Sequence, residues 1–109
     1  MRDVAGMLRS FSYASQAALR TEKFPADRLP MLQSWARFWV ECVSAEFLKS
    51  YLAVAGTASW APQNKDDLEL QLNTMLLEKA LYELRYELNL RPDWVRIPLR
   101  GILDLVTPP

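Results

Sequence analysis

Residues 77–89 read Leu77-Glu78-Lys79-Ala80-Leu81-Tyr82-Glu83-Leu84-Arg85-Tyr86-Glu87-Leu88-Asn89. Leu77, Leu81, Leu84 and Leu88 recur at intervals of 4, 3 and 4 residues, which is the period of an α-helix. A strand would instead alternate at every second position. The leucines therefore predict a seam packed against the core. Asp66 or Asp67 suits the start of this helix, because a carboxylate is favourable at the positive end of the helix dipole. Leu90 is the expected end, since Pro92 follows.

The same period extends outward in both directions. Toward the N-terminus, Gly56 to Lys65 reads as a loop containing Pro62 and Asn64. Before it, Pro30 to Ala55 carries Leu32, Trp35, Phe38, Trp39, Cys42, Val43, Phe47, Tyr51 and Val54. That apolar arc is broad, so this helix is expected to be buried on more than one side, with Trp35, Trp39 and Cys42 in the core. Pro30 fits a first helical turn, where a missing N–H costs nothing, and Gly56 is a natural stop. Phe24 to Leu29 connects backward to a helix over about Arg2 to Arg20, with apolar residues at Val4, Met7, Leu8, Phe11, Ala14, Ala18 and Leu19. Asp3 is the expected N-cap of that helix. At the other end, Pro98 to Leu105 predicts a short last helix ending before Pro108-Pro109. No segment alternates like a strand, and three glycines are too few for many tight hairpins. The expected fold is all-α, a small bundle of three longer helices plus a short C-terminal one, in a single domain over 1–109.

Composition removes several chemistries. The 109 residues contain no histidine, which excludes an imidazole base, a Ser-His or Cys-His pair and a His-ligated metal. The single cysteine excludes an intrachain disulfide and a thiolate zinc cluster. Thirteen Lys and Arg balance thirteen Asp and Glu, which argues against nucleic acid as a partner. No apolar run is long enough to predict a membrane span, and no signal-peptide core follows Met1, so the cytoplasm is the expected compartment. There is no glycine-rich phosphate loop and no aspartate cluster of metal-binding type. No catalytic residue is assigned, and the chain alone is not expected to bind a cofactor or a metal.

Chemistry, if any, lies beside the leucine seam. Glu78, Tyr82, Tyr86 and Asn89 line another side of the helix, with Glu83 and Glu87 next to them, four residues apart. Like charges at that spacing repel mildly, so Arg85, Arg91 or a hydroxyl-rich ligand is needed to offset them. Carboxylates accept from hydroxyls, and aromatic rings pack against the apolar faces of pyranoses. The stripe therefore reads either as a solvated face with local Glu–Arg pairs or as a sugar-facing one. Arg91-Pro92-Asp93-Trp94 places a cation and an indole just beyond it. That turn reads as a structural corner or as an extension of the same site, and Arg91 is within reach of Glu87 across one turn.

Two stretches resemble the maltokinases, enzymes often fused to trehalose synthase. The first is Arg2-Asp3-Val4-Ala5-Gly6-Met7-Leu8-Arg9-Ser10-Phe11 with Ser12-Tyr13-Ala14, similar to the segment after that family's catalytic motifs. The second runs from Glu78 to Leu99 and matches E-K-A, Y-E-x-x-Y-E, R-P-x-W and I-P-L in order. Together they cover about a third of the chain. The resemblance implies the helical end of a kinase C-lobe, from a parent that phosphorylates maltose at its anomeric hydroxyl with ATP and magnesium. It implies that the nucleotide-binding lobe and the catalytic and metal-binding aspartates precede Arg2, and that the absent histidine belongs to that upstream part. Tyr82, Glu83, Tyr86, Glu87, Arg91 and Trp94 then map to the wall of the maltose pocket. The implied partners are the remainder of the kinase or a trehalose synthase module. The competing expectation is a stand-alone helical interaction module, pairing with a partner or as a homodimer through exposed apolar surface.

Overall fold

The computed structural model describes residues 1–107. Among them the chain is all-α, with α1 over Arg2–Thr21, α2 over Leu29–Ala55, α3 over Lys65–Leu90 and α4 over Arg96–Val106. Three long helices and a short fourth agree with the expected architecture. Single 3-10 turns at Ala26–Arg28 and Pro92–Trp94 precede α2 and α4. Pro108 and Pro109, the expected stop after the last helix, lie outside the described residues. No described helix is long and apolar enough to cross a membrane.

Local chemistry sets the helix limits. Asn64 caps α3: its side-chain oxygen accepts from the Asp67 N–H at 2.8 Å, and its amide donates to the Asp67 carboxylate at 2.9 Å. This reciprocal pair satisfies one of the orphan donors of the first turn and fixes the start at Lys65. Asn64→Ala should cost about 1 kcal/mol of stability, read by urea denaturation, and Asn64→Asp should restore most of it. Arg91 ends α3 with φ −142° and ψ 72°, outside the helical region that a following proline disfavours. Asp3 is not the cap of α1. The helix already begins at Arg2, so Asp3 falls in its first turn, where its carboxylate accepts from the Val4 N–H at 2.9 Å.

The chain divides into two compact units. One comprises Met1–Arg9 with Pro62–Pro109, the other Ser10–Ala61. In the second unit, Phe11 meets Phe47 edge-on at 5.7 Å between ring centroids and Trp39 at 6.5 Å. Tyr51 stacks on Phe47 at 6.3 Å, and Trp60 lies edge-on to Tyr51. Edge-to-face geometry is favoured because the positive ring rim meets the negative face. The expectation that α2 is buried on more than one side is not met: no α2 residue is fully buried. Leu32, Val40, Val43, Phe47 and Tyr51 are half-buried on one face. Trp35 is 62% exposed, Phe38 56% and Trp39 45%, and Cys42 is exposed as well. Within this unit the residues 10–21 of α1 are too short to cover more than one side of a helix as long as α2.

The core of the first unit is built from small residues. Val4, Ala5 and Ala80 are fully buried, joined by Ile97 and Pro98. Alanines at a contact let helix backbones approach closely. The most buried positions of α3 are Ala80, Glu83 and Glu87, while Leu77 and Leu84 of the leucine seam are half-buried, as is Leu76. Leu81 and Leu88 are both more than half exposed. The two stripes share the same spacing and differ by one residue, which on a helix is a rotation of about 100°.

Candidate functional site

The buried carboxylates of α3 are held by arginine. Glu83 receives Arg9 side-on: Nε donates to its two oxygens at 2.9 and 3.2 Å, and Nη2 donates to Oε2 at 2.7 Å. Both side chains are about nine-tenths buried. Charge-assisted, bidentate geometry of this kind is the strong form of a hydrogen bond. Beside the pair, Gly101 of α4 leaves the space that the guanidinium fills. A Cβ at that position would overlap Nη1 and stand 2.8 Å from Cζ.

One turn further along α3, Glu87 is 1% exposed. Its Oε1 accepts from Arg91 Nη2 at 2.8 Å, while Oε2 is buried without a hydrogen-bond partner. Arg91 remains about half exposed. Its guanidinium lies 4.2 Å from the Trp94 ring centroid and 5.9 Å from that of Tyr86. Cation–π attraction and the Glu87 pair thus fix one cation from two directions. The 3-10 turn at Pro92–Trp94 makes this possible by bringing the indole back to the end of α3, with the Trp94 N–H donating to the Arg91 carbonyl at 2.8 Å.

The six residues singled out from the sequence separate into three settings. Tyr86, Glu87, Arg91 and Trp94 form one cluster at the C-terminal end of α3. Glu83 lies inside, facing Arg9. Tyr82 is 62% exposed and carries the Lys79 ammonium 4.7 Å above its ring. Glu78 pairs with Arg2 at 3.1 Å on the surface. The repulsion between Glu83 and Glu87 is offset by arginines on both sides. Arg91 is the expected partner of Glu87, but Arg9 lies 74 residues from Glu83 and was not singled out from the sequence. Its signal was a cation within the otherwise apolar run of the first helix, four residues after Ala5.

Chemically, the cluster offers guanidinium donors, a phenol and an indole at the surface, above a carboxylate that anchors them. Such a face can donate to ligand hydroxyls and pack against C–H surfaces. Among the described residues, no His, Cys, Asp and Glu side chains gather in threes in a way that could hold a metal ion. No protein-family model matches the chain.

Proposed function

We propose that this chain is the C-terminal helical part of a maltokinase-like phosphotransferase, and that the end of α3 with the Arg91–Trp94 turn forms part of the wall around the acceptor sugar. The observation that carries the reading is the cluster of Tyr86, Arg91 and Trp94 over buried Glu87. These are positions the maltokinase resemblance marks. In the parent, the γ-phosphoryl group of ATP passes to the anomeric hydroxyl of maltose, with magnesium supplying charge neutralisation in the part that holds the nucleotide. This chain supplies scaffold and a sugar-facing surface in the cytoplasm, beside the rest of the kinase or a trehalose synthase module. Tyr82, Tyr86 and Trp94 bound the sugar and Arg91 donates to its hydroxyls. Glu87 holds Arg91 in place, and Glu83 positions α3 through Arg9.

Two measurements test this. The purified chain mixed with ATP, magnesium and maltose should yield no maltose 1-phosphate, and detectable product would overturn the reading. In the protein encoded together with its upstream frame, Tyr86→Ala should raise KM for maltose about tenfold, the worth of one aromatic contact, and leave KM for ATP unchanged. Equal shifts for both substrates would remove Tyr86 from the sugar wall. An upstream frame lacking kinase motifs would favour the second reading, a stand-alone interaction module, which the exposed aromatic face of α2 supports.

A further inference from the structure

The outer face of α2 is independent of the sugar reading. Met31, Trp35, Phe38, Cys42 and Ala45 follow one another at intervals of 4, 3, 4 and 3 residues, and all five are exposed. Trp35 and Phe38 stand edge-on at 6.1 Å, and with Met31 and Ser34 they line an open groove. Large side chains occupy the N-terminal half of this stripe and small ones the C-terminal half, with Phe38 between them.

We infer that this face binds the same face of a second copy of the chain, antiparallel, about a two-fold axis at Phe38. A two-fold contact must be self-complementary, and this stripe is so only in that orientation. Met31 then meets the partner's Ala45, Trp35 meets the partner's Cys42, and Phe38 meets the partner's Phe38. Bulk fills space left by small side chains, as close packing requires. A parallel arrangement would set Trp35 on Trp35 and Lys49 on Lys49. The area suffices as well. An aromatic side chain offers about 150–250 Å², so Met31, Trp35 and Phe38 at their observed exposures, with the smaller Cys42 and Ala45, present roughly 400–500 Å² per copy. Fully covered, two copies bury roughly 800–1,000 Å², at the lower bound of a specific interface.

The test is sedimentation velocity on the full chain from low to high micromolar concentration. A monomer–dimer equilibrium is expected. Phe38→Glu, at an exposed position, should keep the helical circular-dichroism signal and raise the dimer dissociation constant roughly thirtyfold or more. The orientation is read by mild oxidation. In the antiparallel pair the two Cys42 residues are offset by about 12 Å along the axis and cannot join, whereas Ser34→Cys sits opposite the partner's Cys42. Ser34→Cys should therefore yield covalent dimer while the unaltered chain does not. A chain monomeric throughout the range would overturn the inference and leave the face to a different protein. So would cross-linking of the unaltered chain through Cys42, or a dimer that Phe38→Glu leaves intact.

Discussion

Arg9→Ala should cost about 3–5 kcal/mol, because it leaves the Glu83 carboxylate buried without its cation. A small domain has about 5–15 kcal/mol in total, so this one substitution removes a large share. In a thermal melt the same loss lowers the midpoint by roughly 12 °C or more. The penalty belongs to the unpaired charge and not to the value of the pair. Replacing both partners at once, Arg9→Met with Glu83→Leu, removes two desolvated ions and fills the space with apolar atoms. That double variant should lie within about 1 kcal/mol of the unaltered protein, or above it. Urea denaturation of the three proteins gives the comparison. A loss below 1 kcal/mol for Arg9→Ala would mean that water reaches Glu83, contrary to its burial.

The second large effect changes sign with its surroundings. Gly101 lies inside α4, where alanine is favoured over glycine by about 1 kcal/mol in helix propensity. Yet a Cβ there meets the guanidinium of Arg9. An arginine tip usually swings aside at little cost, but this one is pinned by three hydrogen bonds to Glu83. Gly101→Ala must distort that geometry or displace the helix, and should destabilise the protein by about 1–3 kcal/mol. In the Arg9→Ala background nothing occupies the space. There the same substitution should be neutral or stabilising by up to about 1 kcal/mol. Residues sharing one space are coupled in this way, and the double-mutant cycle measures the coupling. Additive losses would show that Arg9 does not fill the place beside Gly101.

The helices were legible in the sequence because their signals are local. The leucine spacing in 77–88, the proline at 30 and the acidic turn at Asp66-Asp67 each act within a few residues, and each helix limit fell close to expectation. The direction in which each helix turns was less legible. Leu77, Leu81, Leu84 and Leu88 mark a stripe as apolar as any in the chain, but only Leu77 and Leu84 are half-buried, and the fully buried positions, Ala80, Glu83 and Glu87, lie one residue back. The two glutamates are tolerable inside only because Arg9 and Arg91 meet them. Arg91 is near in sequence, where spacing alone identifies it as a partner; Arg9 is 74 residues away, beyond the reach of any periodicity. The same limit applies to Trp35, Trp39 and Cys42. A regular apolar pattern identifies a face suited to burial, but whether anything covers it depends on the neighbours available. Of the six residues picked for a site, Tyr86, Glu87, Arg91 and Trp94 do gather, since all four lie within one turn-and-a-corner of chain.

The unit that contains the Arg9–Glu83 pair is discontinuous along the chain, whereas Ser10–Ala61 is not. Synthesis proceeds from the N-terminus, so Arg9 leaves the ribosome long before its carboxylate exists. Ser10–Ala61 has its full set of internal partners early. Val4, Ala5 and Arg9 must wait for Ala80, Glu83 and finally Gly101 of the last helix. During synthesis residues 4–9 therefore precede the α3 and α4 residues that bury them. Their burial against Ala80, Glu83 and Gly101 must follow the synthesis of those residues.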